Sequence, residues 1–208
     1  MQFYQRMAEV DRTRHNLPHW NQTETWTFVT WRLADALPKE KLEQWKREKA
    51  VWLGNHPEPW DAETEKEYYT RFTQRIDEWL DQGSGSCLLC RPENAKIVAD
   101  ALLHFNGARY QIHSFVVMPN HVHVLFAPSE GFVIQRVLQG WKGFSARGIN
   151  KLEGRTGRLW QDEYWDRLVR NGKHFQRIAQ YVQENPTKAK LKEGEYLLWE
   201  GGHSCPPQ

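Results

Sequence analysis

The strongest constraint on the fold is the run Val116-Val117-Met118-Pro119-Asn120-His121-Val122-His123-Val124-Leu125-Phe126, an apolar stretch holding a turn signal and two histidines one residue apart. Pro119-Asn120 suits a turn, which divides the run into two neighbouring strands with the histidines at the start of the second. In an extended strand side chains alternate between faces. His121 and His123 therefore point one way while Val122, Val124 and Phe126 point the other. One strand thus offers two imidazoles side by side, and neutral imidazole nitrogens are good ligands for divalent metals. The competing reading is a pair of ordinary strand histidines, and it loses ground to a second constellation further along the chain.

The rest of the sequence arranges itself around that strand pair. Residues 25–33 alternate polar with apolar and β-branched residues at period two, giving a first strand whose packed side is defined by Trp26, Phe28 and the Val29 end. From 39 to 82 the text turns charged and helical, over 39–52 and 62–80, broken by Gly54-Asn55-His56-Pro57-Glu58-Pro59. Leu42, Trp45, Lys49 and Trp52 fall at helical spacing and seat this inserted pair on the body. Gly83-Ser84-Gly85-Ser86 reads as a flexible joint. A helix over 92–105 opens on Pro92, and strands follow over 108–117 and 121–126. An amphipathic helix over 132–151 comes next, then a strand over 159–169. A last helix over 174–184 is expected to end at Asn185-Pro186, because proline disfavours helix in the residue before it.

The order strand, helix, strand, strand, helix, strand predicts an α+β, ferredoxin-like β-α-β-β-α-β sandwich, with a helical insertion after strand one and an added C-terminal helix. Residues 1–191 read as a single domain with 39–82 inserted, and 192–208 as a loosely ordered tail. A chain of 208 residues can bury a core of that size. The opening 12–20 is polar, basic and aromatic, and Pro18 argues against regular structure, so it reads as an arm.

Net charge is only +2, yet 136–190 holds twelve Lys and Arg against five acids, while 39–82 holds eight against eleven. A basic C-terminal half predicts a polyanionic partner met by one face. Eleven tryptophans fit base stacking on an unpaired strand, although most are more simply packing anchors. Cys87, Cys90 and Cys205 are too few for a disulfide framework, and Leu88-Leu89 makes Cys87-x-x-Cys90 a packing segment rather than half a zinc site. With no apolar leader and no stretch able to span a bilayer, a cytosolic location away from membranes is expected.

Tyr181 and Asn185 stand four residues apart and share a helix face. The amide oxygen can complete the coordination of a hard cation, and a phenol beside it can act as a nucleophile. His113 and His174 are candidate proton acceptors whose simpler role is structural.

Met118-Pro119-Asn120-His121-Val122-His123-Val124-Leu125, then Trp160-Gln161-Asp162-Glu163-Tyr164-Trp165-Asp166-Arg167, then Tyr181-Val182-Gln183-Glu184-Asn185-Pro186-Thr187-Lys188-Ala189 closely resemble the REP-associated tyrosine transposases, members of the HUH single-strand nucleases. The resemblance runs from about Arg12 to Leu191. It implies the HUH version of the ferredoxin-like fold and a Mg²⁺ or Mn²⁺ ion held by His121, His123 and Asn185. It makes Tyr181 the nucleophile that joins the 5′ side of the cut strand. The implied substrate is single-stranded DNA beside an imperfect palindromic REP-type hairpin, in a bacterial, nucleoid-associated setting. The implied assembly is a monomer, with a dimer left open. The expected DNA-binding set is Arg12, Arg14, His15, Pro18 and Trp20 of the arm with Lys142, Arg147, Arg167 and Arg170. The competing function is a hairpin-binding protein, derived from such an enzyme, that no longer cuts.

Overall fold

The computed structural model describes residues 2–5, 11–14, 18–22, 24–57 and 60–201. His15, Glu58, Pro59 and Cys205, named above, lie outside the described residues. Asp11–Arg14 (β1) and Pro18–Asn21 (β2) pair antiparallel, with Arg12 opposite Trp20 and Arg14 opposite Pro18. The expected irregular arm is thus a two-stranded ribbon. Pro18 is compatible with it as the first residue of a strand that has a neighbour on one side only.

The body is a five-stranded sheet of β3 (Thr27–Arg32), β4 (Tyr110–Val117), β5 (His121–Pro128), β6 (Trp165–Leu168) and β7 (Leu197–Glu200), in the order β6-β3-β5-β4-β7. All neighbours are antiparallel. β3 and β4 are separated by β5, and β5 and β6 by β3. The hairpin read from Pro119-Asn120 closes with Met118 N–H donating to the His121 carbonyl at 2.9 Å. All eight residues of β5 are buried, which is why this strand reads as a near-continuous apolar run rather than a half-polar one.

The insertion consists of α1 (Lys39–Asn55), then α2 (Ala62–Tyr68), a π-helical segment Tyr69–Gln74 and α3 (Arg75–Asp81) in unbroken succession. Next come α4 (Pro92–Leu103), with Pro92 in its first turn, and α5 (Ile134–Leu152). Last is α6 (Gly172–Lys188).

Alternation along β5 sorts the helices between the two faces. Val122, Val124 and Phe126 pack with Trp31, Val98, Leu102, Val137 and Trp141, so α4 and α5 cover that side. Leu125 and Ala127 pack with Phe175 and Ile178, and Val116 and Met118 with Val182, so α6 covers the histidine side. The insertion reaches the histidine side through Trp45 against Trp165 and Arg167 over the Tyr69 ring, 4.5 Å away. Residues in register across β3, β5 and β6 share a face, so Trp165 and Arg167 lie on the side of Thr30 and His123.

Several expectations are corrected. β3 has no single packed side, since Val29 and Trp31 are buried on one face while Phe28 stacks on His123 at 5.4 Å on the other. Strand four is Trp165–Leu168 rather than 159–169, with only a bridge between Leu33 and Trp160 ahead of it. The carbonyls of Gln161 and Asp162 turn out to accept from Lys142 Nζ at 2.6 and 2.8 Å. Part of the supposed tail is strand β7, which covers the edge of β4 and stacks Trp199 on Phe115 at 5.4 Å. Finally, α6 runs on past Pro186 to Lys188. Ala189 N–H still donates to the Asn185 carbonyl at 3.0 Å, so near the helix end the proline forfeits one bond without stopping the turn.

Candidate active site

His121 and His123 point into the space beneath α6 and are fully buried. Asn120 Nδ2 donates to the Leu80 carbonyl at 3.2 Å and the Ser84 carbonyl at 3.0 Å. Both partners are pure acceptors, so the amide orientation is fixed and Asn120 Oδ1 faces His121 Nδ1 at 2.7 Å. An amide oxygen only accepts, so His121 carries its proton on Nδ1 and turns the lone pair of Nε2 into the site. That lone pair meets His123 Nε2 at 3.0 Å, and His123 Nδ1 meets Thr30 Oγ1 at 2.7 Å. A hydroxyl both donates and accepts, so Thr30 fits either tautomer of His123.

Burial lowers the His121 pKa from 6.5 to about 3. Burial, and then His121, push His123 well below the ordinary histidine value. Both rings are therefore neutral at physiological pH, the state that ligates metals.

Asn185, on the inner face of α6, is fully buried. Its Nδ2 stands 3.5 Å from His123 Nε2, while its Oδ1 is buried without a hydrogen-bond partner. A half-turn of the amide exchanges the two atoms and presents the orphaned oxygen to the histidine pair. Tyr181, one turn earlier, sets its ring 5.4 Å from His123 and 5.8 Å from Phe28, edge to face. The residues fit the divalent cation expected from the sequence: two neutral imidazole nitrogens close enough to share one ion, and a buried amide oxygen lacking any other partner. Among the described residues, no group of three or more His, Cys, Asp or Glu side chains converges as a metal cage. The donor set is two imidazoles and an amide.

Sequence reasoning missed a contribution from α3. Asp81 Oδ1 lies 4.0 Å from His121 Nε2 and has no hydrogen-bond partner. Asp77, one turn earlier, acts on the Tyr181 hydroxyl, which is buried without a hydrogen bond of ordinary geometry. Burial raises the Asp77 pKa to about 7 against the opposing effect of Tyr181. Burial also raises Asp81 to about 6, against Lys188. Tyr181 is pushed far above the ordinary phenol value by burial, then by Asp77, Asp81 and Tyr69. One signal was present in the sequence. Asp77 and Asp81 repeat the four-residue spacing of Tyr181 and Asn185, and Asp81 ends its helix where the dipole disfavours a carboxylate.

The expected DNA-binding residues scatter. Arg12, Arg14, Pro18 and Trp20 lie in the β1–β2 ribbon. Arg167 sits beside the site over Tyr69, and exposed Arg170 precedes α6. Lys142 and Arg147 are on α5, across the sheet from the histidines. Lys142 is moreover spent on the carbonyls of Gln161 and Asp162. Its ammonium pKa falls to about 8, chiefly through burial. His174 Nδ1 accepts from Arg170 N–H at 3.3 Å, and His113 packs edge-on against Phe175.

The site thus belongs to the class that joins a strand-borne imidazole pair to a helical phenol and amide. Residues 96–185 match the family model described as Transposase IS200 like, a segment that opens within α4, closes on Asn185 and contains His121, His123 and Tyr181. No curated protein matches the chain. Among solved structures, the chain is similar to a REP-associated tyrosine transposase bound to a REP hairpin, at 15% identity and TM-score 0.46, over 82% of this chain and 71% of that one. It is also similar to an inferred transposase from Deinococcus radiodurans R1, at 16% identity and TM-score 0.35, over 89% of this chain and 98% of that one. No helix among the described residues is long and apolar enough to cross a membrane.

Proposed function

We propose that this protein is a metal-dependent tyrosine transposase with a ferredoxin-like HUH fold, which cleaves and rejoins single-stranded DNA beside a REP-type hairpin through a 5′-phosphotyrosine. The observation that carries the reading is the convergence of His121 Nε2, His123 Nε2 and the orphaned Asn185 oxygen one helical turn from Tyr181. The family match over this segment supports the reaction class. The hairpin rests on the resemblance of the three sequence motifs to the REP-associated enzymes.

His121, His123 and Asn185 would hold a Mg²⁺ or Mn²⁺ ion. When bound, a divalent cation offsets the negative charge that builds on the phosphate oxygens during attack. Because all three ligands are neutral, they leave the ion its full charge. Tyr181 Oη bonds to phosphorus, the P–O3′ bond breaks, and the 3′ oxygen leaves as a hydroxyl after taking a proton. Asp77 is the carboxylate placed to receive the Tyr181 proton. Attack by a second 3′-hydroxyl reverses these bonds and rejoins strands without ATP.

The test is capture of a covalent protein–oligonucleotide adduct on a hairpin substrate with a single-stranded flank, with and without Mg²⁺ or Mn²⁺. Adduct at Tyr181 only with the cation is expected. Hairpin binding with no adduct under any cation would favour the non-cutting binder.

A further inference from the structure

From Arg167 to Gln183 the chain carries Arg167, Arg170, Lys173 and Arg177 and no acidic residue. The fold crowds these cations at the start of α6. After burial, the charges of Arg167, Arg177 and Arg170 hold the His174 pKa down at about 4. Arg177 also acts on Arg167. Arg167 is used over the Tyr69 ring, but Lys173 and Arg177 add like charge that repels at such range. The amino end of α6 adds positive partial charge of its own. Lys173 and Arg177 are exposed, and among the described residues no carboxylate forms an ion pair with either.

The spacing gives this charge a direction. Lys173, Arg177, Tyr181 and Asn185 follow at four-residue intervals along α6, a line that winds by about 40° per step from the exposed side at Lys173 and Arg177 toward the inner face at Tyr181 and Asn185. An open depression of about 490 Å³ is lined by Lys173, Gln176, Arg177 and Gln180. The two cations stand one turn apart, about 6 Å along the axis, a step comparable to that between successive phosphates of an extended strand. Negative charge first returns at Glu184, which is held by Gln180 at 2.6 Å and Lys188 at 3.1 Å, beyond the nucleophile's turn.

We propose that this row is the track for the sugar–phosphate backbone of the strand to be cut, with Lys173 and Arg177 holding phosphates next to the one presented to Tyr181. A single helical row matches one backbone. A duplex carries two, set apart by its grooves. The charged pair positions the strand without reading its sequence, while Gln176 offers donor and acceptor groups to sugar and phosphate oxygens. The inference rests on Tyr181 being the nucleophile.

The experiment uses the full chain with Lys173→Gln and Arg177→Gln combined, an oligothymidylate single strand and a blunt mixed-sequence hairpin as probes, and titrations over a range of salt. Each phosphate contact to a single strand contributes about −0.7 to the salt slope, so the slope for oligothymidylate should flatten by about 1.4. Blunt-hairpin affinity should stay within about twofold. Lys173→Arg with Arg177→Lys should restore the wild-type slope, since charge rather than shape is at work. An unchanged oligothymidylate slope, or an equal loss on both probes, overturns the track even when wild-type protein still forms its Tyr181 adduct. Wild-type protein that forms no adduct and binds neither probe overturns the track together with the proposed function.

Discussion

Asn120 Oδ1 accepts the Nδ1 proton of His121 at 2.7 Å, and Asn120 is itself held by the carbonyls of Leu80 and Ser84. A residue of the β4–β5 turn thereby ties the end of the insertion to the protonation pattern of a candidate ligand. Outer partners of this kind fix tautomer and ring orientation.

Asn120→Ala should weaken Mn²⁺ binding about 10- to 100-fold, the usual cost of losing such a partner. It should also lower stability by about 1–3 kcal/mol, because two buried carbonyls lose their donor. Titration calorimetry with Mn²⁺ and a thermal melt read the two effects. Wild-type affinity in the variant would mean that His121 does not depend on Asn120 for its tautomer.

Either His121→Ala or His123→Ala should abolish cleavage while hairpin affinity stays near wild type, since affinity for DNA comes mainly from cationic contacts to phosphates. Gel-shift and cleavage assays on one preparation give the comparison. Cleavage at near wild-type rate by either variant would remove the imidazole pair from the chemistry.

Tyr181→Phe should keep hairpin binding and the melting temperature, because the hydroxyl lost makes no hydrogen bond of ordinary geometry. It should form no adduct and release no 3′-hydroxyl product. Tyr164 should not replace it: its side chain is buried in the large hydrophobic cluster, and burial drives its pKa far up. A covalent adduct mapping to another tyrosine by mass spectrometry would sink the assignment.

Without a cation, Asp77 at about 7 and Asp81 at about 6 hold protons that the unfolded chain, titrating near 3.8, has released. Their contribution to stability is fully present below about 3.8 and is lost as pH rises through 6 to 7. His121 acts in the opposite sense. Its folded value of about 3 lies below the unfolded 6.5, so its contribution is lost as pH falls below 6.5. Calorimetry in EDTA should show Asp77→Asn gaining on wild type as pH is raised from 5 to 8. A difference independent of pH would mean that Asp77 ionises like an exposed carboxylate.

The histidine pair and the Tyr181–Asn185 row were legible because each is set by a local period, two along β5 and nearly four along α6. The sheet order β6-β3-β5-β4-β7 comes from pairings between strands far apart in the chain. What local periods do not encode is which side of a sheet a helix takes. The amphipathic α5 showed which of its own faces is buried, yet nothing in its sequence placed Lys142 and Arg147 across the sheet from the site. The placement of α3 over the histidines depends on long-range contacts such as Trp45 against Trp165, so Asp77 and Asp81 escaped notice. β7 spans only four residues, and its pairing with β4 supplies the order that its composition did not suggest.

The π-helical segment Tyr69–Gln74 acts as a one-residue phase shift inside an otherwise α-helical rod. Each residue of an α-helix turns the chain by about 100°. Removing one residue from 69–74, and so restoring plain α geometry, would turn α3 by about that angle relative to α2. Asp77 would swing off Tyr181 and Asp81 off His121, while Trp52 and Tyr68 kept their contact. The carboxylates over this site are thus aimed by a count of residues rather than by their own surroundings.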